Sequence, residues 1–233
     1  MYVGSRMYSK DGRNQAPLGR RDNIDQAEHI LVSFDTFLDR RTAFVYGVTA
    51  AGVRIDRYHA ADQEDSFDSG YDPVWRAETN VAGDQWTAEL WIPFSQLRFN
   101  PQSALTWGLN LYRFRPTLDE ADYWIVIPRT VRAWSSRFGD ISGINGVVPP
   151  RRIEASPYVA GGATINRDRD VRNPFDDGKN IEGRVGADVK MGLGPNLTLE
   201  TSLNPDFGQV EADPAEVNLT AFETRFPEKR PFF

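Results

Sequence analysis

Cysteine is absent from the 233 residues, which excludes a disulfide framework, thiolate chemistry and any cysteine-based zinc site. Histidine occurs only as His29 and His59, without HExxH or comparable spacing, so each is expected on a strand surface. No apolar run approaches the ~18 residues of a membrane-spanning helix, so any contact with a bilayer would be made through strands. There is no basic excess: 27 Lys and Arg stand against 33 Asp and Glu, a net charge of −6. The electrostatic footprint of a nucleic-acid binder is therefore missing. GxSxG, GxGxxG and phosphate-loop patterns are also lacking, and no catalytic constellation is found. No charged n-region, apolar h-region or cleavage site precedes the strand-like Met1–Tyr8.

What is present is strand signal. Residues 29–37 alternate, with Ile30, Val32 and Phe34 on one face and Leu31, Ser33 and Asp35 on the other. A turn at Asp39-Arg-Arg41 leads to a return strand over 42–49, and Ala50-Ala-Gly52 turns the chain into 53–58. Residues 74–81 and 85–92 read as a hairpin, which Pro93 ends because it has no N–H for the ladder. Residues 106–115 and 123–127 make further strands, and Pro93–Leu97 allows one helical turn. Short strands at this spacing predict an antiparallel β-sandwich over residues 1–148. Val147-Val-Pro-Pro150 marks the boundary.

Beyond it, residues 152–162 alternate and 166–180 read as a polar loop. From 182 to 191, Gly183, Val185, Ala187, Val189 and Met191 oppose Glu182, Arg184, Gly186, Asp188 and Lys190. A tight turn at Gly192–Asn196 leads to 197–204 with the same alternation. Apolar or small residues on one face and charge on the other match the lipid-out, lumen-in strands of a membrane barrel. The edge hairpin of a soluble sheet is the alternative. Three strands cannot close a barrel, whose minimum is about eight.

The last thirty residues carry distinctive segments: Asn204-Pro-Asp-Phe207, Gln209-Val-Glu-Ala-Asp-Pro214, Val217-Asn-Leu-Thr-Ala-Phe-Glu-Thr224 and Phe226-Pro-Glu-Lys-Arg-Pro-Phe-Phe233. They resemble the head of a bacterial outer-membrane barrel family of unknown function. In that family the barrel follows a domain similar to the family 9 carbohydrate-binding module. Residues 2–148 resemble that module through Leu31-Val-Ser-Phe-Asp-Thr-Phe37, Trp86-Thr-Ala-Glu-Leu-Trp-Ile-Pro-Phe94 and Trp107-Gly-Leu-Asn110. The resemblance implies an all-β chain: a carbohydrate-binding-module-like sandwich over 1–148, then the start of a barrel over 151–233. The sandwich is expected to be truncated at its N-terminus and the barrel at its C-terminus, the whole being an internal fragment of an exported protein. The implied location is the bacterial outer membrane, with the sandwich in the periplasm or at the cell surface. The implied function is non-catalytic glycan binding at the cell envelope, connected with carbohydrate catabolism or uptake. A structural or plug domain without sugar affinity is the alternative. A glycosidase label inherited from the hydrolases such modules accompany comes third. The expected partners are a glycan and outer-membrane lipid, with oligomeric state left open.

Six tryptophans give the site candidates, because a sugar packs its C–H face on a flat aromatic ring. The resemblance assigns Trp86 and Trp107 to the framework. Trp75, Trp124 and Trp134 lie nearer segment ends, and with Arg76 and Arg132 they form the candidate carbohydrate site. The sugar-sandwiching aromatic pair of characterised family 9 modules has no match here by spacing. No cofactor is expected. The acidic loop 60–70 offers Asp62, Glu64, Asp65 and Asp68 as candidate ligands for a structural calcium, since hard carboxylates suit that ion. Its spacing is not that of an EF-hand, and a solvated loop is the plainer reading.

Overall fold

The computed structural model describes residues 1–9, 14–24, 26–68, 70–128, 130–150, 152–165, 179–194 and 197–204. The loop expected over 166–180 and the family segments after Asn204 lie outside the described residues, apart from the start of β11. The chain divides into two compact units, Met1–Pro150 and Arg151–Phe233. Among the described residues the only helical elements are two short 3₁₀ turns, Phe94–Gln96 and Ser135–Arg137.

Unit 1 contains β1 (Tyr2–Tyr8), β2 (His29–Asp35), β3 (Ala43–Thr49), β4 (Arg54–His59), β5 (Arg76–Ala82), β6 (Gln85–Trp91), β7 (Ala104–Arg115), β8 (Glu120–Tyr123) and β9 (Gly139–Asn145). They form two antiparallel sheets. The smaller has the order β1-β6-β5; the larger runs β4-β3-β2-β7-β8, with β9 also paired to β7. Period-2 alternation sends Ile30, Val32, Phe34, Phe44, Tyr46 and Val48 inward from the larger sheet. Met7, Trp86, Ala88 and Leu90 meet them from the smaller one, so both sheets share one core. Fully burying each such large side chain contributes ~1.5–3 kcal/mol. Trp86 and Trp107 are both framework residues within that core.

Several boundaries differ from the sequence reading. The strand expected over 123–127 is instead β8, Glu120–Tyr123, formed as the chain turns back from Arg115. Past Tyr123 one further backbone bond forms, from Trp124 N–H to Leu111 C=O at 2.9 Å, and the Asn110 side chain then replaces the ladder, accepting from Ile125 N–H at 2.9 Å and donating to Ile125 C=O at 3.1 Å. The histidines also differ from expectation, since both are buried. The outer face of the larger sheet is covered there by neighbouring loops, with Trp134 stacked on His59 at 4.1 Å between ring centroids.

Unit 2 is one antiparallel sheet, β10 (Ile153–Ile165), β11 (Lys179–Leu193) and β12 (Leu197–Leu203), in that order. Its register aligns Ile153, Ala155, Pro157 and Val159 with Met191, Val189, Ala187 and Val185. Leu203, Thr201, Leu199 and Leu197 continue that face on β12. Large apolar side chains stand open along it: Val159 is 80% exposed and Ile181 84%. The other face is polar and internally bonded. Lys190 pairs with Glu200 at 3.3 Å, the Ser202 hydroxyl donates to Asp188, and Tyr158 donates to Asn204 C=O.

Candidate functional site

Strand order brings together side chains that are far apart in sequence. On the outer face of the larger sheet, Tyr123 of β8 registers with Tyr112 of β7, and Tyr112 with Leu31 of β2. Leu31 registers with Gly47 of β3, and Gly47 with Ile55 of β4. One row along, Arg57 of β4 opposes Val45 of β3. Aromatic rings gather at the β2–β7 end of this face. His29 lies 5.6 Å from both Tyr112 and Phe114, and Tyr112 lies 4.8 Å from Tyr123, between centroids.

The loop after β4 supplies polar groups to the same face. Tyr123 donates its hydroxyl proton to Glu64 Oε1 at 2.8 Å, and Phe67 lies 4.3 Å beneath the Arg57 guanidinium. Arg57 is half-buried. Burial lowers its pKa, although Asp22, Tyr112 and Glu64 favour its charge. Burial also raises the Tyr112 pKa, with Glu64 adding to the effect, so Tyr112 remains a neutral donor. His29 is held neutral by burial. Its Nδ1 donates to Ala27 C=O at 2.8 Å, which leaves Nε2 as a bare acceptor with no hydrogen-bond partner among the described residues. The face thus combines aromatic planes, a guanidinium donor and a carboxylate acceptor.

The sequence-derived candidates are dispersed. Trp75 is only 1% exposed, and its indole N–H donates to Asp56 Oδ1 at 2.9 Å, so it is a core residue. Trp134, 6% exposed, is packed against Phe138 and His59. Both correct the expectation that tryptophans near segment ends stay open, because the loops holding them fold back onto the sheets. Trp124 is 54% exposed. It stands with Asp122 at the rim of a groove of about 300 Å³ between β1 and β7–β8. Arg76 lies over Trp91 on the smaller sheet at 5.3 Å, and Arg132 is an exposed loop residue. These five residues do not converge on one site.

The acidic loop is engaged in protein contacts. Asp62 accepts from Trp134 N–H at 2.7 Å, Ser136 N–H at 2.9 Å and the Ser136 hydroxyl at 2.6 Å. Although burial opposes it, these bonds hold the Asp62 carboxyl below its ordinary range. Glu64 binds Tyr123, and Asp68 accepts from Gly70 N–H. Among the described residues no group of three or more His, Asp or Glu side chains is placed to hold a metal ion.

Comparison with known proteins adds two findings. Residues 149–233 match a family described as a domain of unknown function, DUF5916. A crystal structure from Bacteroides uniformis, provisionally described as a carbohydrate-binding protein, aligns with 60% of this chain and 71% of its own. The identity is 14% and the TM-score 0.44. No curated protein matches the chain.

Proposed function

We propose that this chain is a glycan-binding protein of the bacterial outer membrane. In this reading unit 1 binds carbohydrate on the outer face of its larger sheet, and unit 2 contributes strands to a membrane β-barrel. The observation that carries the binding half is the convergence of Tyr112, Tyr123, Phe67, Arg57 and Glu64 on one sheet face. A pyranose presents C–H faces that pack on aromatic rings and hydroxyls that need both donors and acceptors. Arg57 supplies the donors and Glu64 the acceptor. Hydrolysis of a glycosidic bond ordinarily uses two carboxyl groups flanking it. In this reading Glu64 serves the sugar as a hydrogen-bond acceptor, which is a binding role.

The membrane half rests on the exposed apolar face of unit 2. Strands β10 and β11 have 13 and 15 residues, and a tilted barrel strand needs ~9–11 to cross. A sheet with one largely apolar face, broken by Thr201 and by Lys179 at its end, and one bonded polar face suits lipid on one side and water on the other. A role in carbohydrate uptake or catabolism follows from joining a sugar-binding unit and a barrel in one chain.

The test is a glycan-array screen of the detergent-solubilised full chain, followed by titration of the strongest ligand. Arg57→Ala and Tyr112→Leu should each weaken binding by about tenfold or more, equivalent to ~1.4 kcal/mol. Trp124→Ala and Arg76→Ala should leave it within about twofold. Absence of binding to any glycan would favour the plug or scaffold reading of unit 1 instead.

A further inference from the structure

We infer, on the carbohydrate reading of the outer face of the larger sheet, that its ligand is an acidic glycan whose uronate carboxylate is held by Arg57. Arg21, Arg40, Arg113 and Arg115 are half-buried as Arg57 is, and each is ion-paired to an Asp or Glu side chain. Arg54, on the same strand, donates to Trp75 C=O at 2.6 Å. Arg57 does neither: among the described residues its guanidinium makes no hydrogen bond and no ion pair. The contact it does make is with the Phe67 ring, 4.3 Å away.

Partial burial without a partner is costly for a charged group. Two carboxylates favour the Arg57 charge from a distance, Asp22 and Glu64. Both are bonded elsewhere: Asp22 accepts from Asp56 N–H at 2.9 Å, and Glu64 from the Tyr123 hydroxyl at 2.8 Å. Arg57 is thus a charged guanidinium over an aromatic ring, with its N–H fork uncommitted. A sugar hydroxyl can use one arm of such a fork. A carboxylate takes two parallel bonds from it and supplies the compensating charge.

The neighbouring groups define the rest of the ligand. Asp22 and Glu64 repel a second anionic group placed close by, which disfavours a densely sulfated chain. Their remaining lone pairs accept hydroxyl protons. Tyr112 and Tyr123, 4.8 Å apart between centroids, offer ring surface to a C–H face. A uronic acid carries all three features on one ring: a single carboxylate, several hydroxyls and an apolar C–H face.

The experiment titrates the detergent-solubilised full chain with oligosaccharides of galacturonate, glucuronate and mannuronate, each beside its carboxyl methyl ester. Neutral and sulfated oligosaccharides of similar length complete the panel. At least one uronate should bind about tenfold or more tighter than its ester, and added salt should weaken the acid more than the ester. Arg57→Gln should erase this preference. Arg57→Lys, which keeps the charge and loses the fork, should leave only part of it. Glu64→Gln keeps an acceptor for Tyr123 and removes a negative charge, so it should raise the preference for acid over ester. Matched melting temperatures would show that the variants fold, and the wild-type preference with its salt dependence stands as evidence without them. Equal binding of acid and ester, an acid preference that survives in folded Arg57→Gln, or binding of neutral or sulfated chains alone would overturn the inference while leaving the glycan reading in place. Absence of binding to every oligosaccharide would overturn both.

Discussion

Two buried ionisable residues in β4 set opposing pH dependences for unit 1. Asp56 is fully buried, and burial pushes its pKa up to about 6 despite hydrogen bonds from Trp75 and Arg21. Its Oδ2 has no hydrogen-bond partner among the described residues and is the natural seat for the proton. A carboxyl with a raised folded-state pKa gives stability that is full below about 4 and is lost as pH rises toward 6. His59 runs the other way, because burial lowers its pKa to about 4. Its stability is full above about 6.5 and is lost as pH falls toward 4. Each shift of roughly two units corresponds to ~3 kcal/mol, so the two nearly cancel across the same window. The lowered His29 pKa and the raised Asp22 and Asp35 pKa values, each shifted by burial, add to that balance, so each variant is read against the wild-type profile in denaturant melts. Asp56→Asn should become less stable on acidification through that window, and His59→Gln less stable on alkalinisation. Parallel pH profiles for both variants would contradict this account.

At the same scale, the burial of Trp75 and Trp134 shows where local reading stops. Position near a segment end predicts openness, but His59, Asp56 and Asp62 come from distant segments and enclose these rings. The grouping of Arg57, Tyr112 and Tyr123 was equally hidden. Alternation alone puts each on an identifiable strand face. Only the order β4-β3-β2-β7-β8 makes those faces the same one, and strand order is not written in local pattern.

At the scale of elements, the hairpins were legible because alternation and turn residues agree. The Gln85 strand, the Pro93 stop and the single turn after it all occur as read. The end of β8 was not legible, since the Asn110 side chain takes over the pairing there. A tertiary requirement also fixes Gly47 in the middle of β3. A Cβ at this position would overlap the Leu31 side chain and lie 2.6 Å from the Ile30 carbonyl oxygen, which is backbone and cannot swing aside. Gly47→Ala should accordingly destabilise unit 1 by ~1–3 kcal/mol, the usual cost of overpacking a tight site. Chemical denaturation measures this directly. A neutral or stabilising result would mean that β2 and β3 lie farther apart than the described register implies.

At the scale of the whole molecule, alternation in residues 182–204 foretold two chemically different faces. The register extends them: β10 adds Ile153, Val159 and Ile165 to the apolar side, and Tyr158 covers Gly186 on the polar side. The tyrosine fills the space a side chain at Gly186 would occupy, a pairing that steadies glycine within a sheet. The division of labour proposed here depends on what touches those two faces. Single cysteines at adjacent positions of β11, Val185→Cys on the apolar face and Arg184→Cys on the polar face, report it in outer membranes containing the full-length protein. A lipid-phase maleimide should label Val185→Cys preferentially, and a water-soluble maleimide should label Arg184→Cys. Equal labelling of both by the soluble reagent, with no lipid-phase labelling of Val185→Cys, would contradict the account.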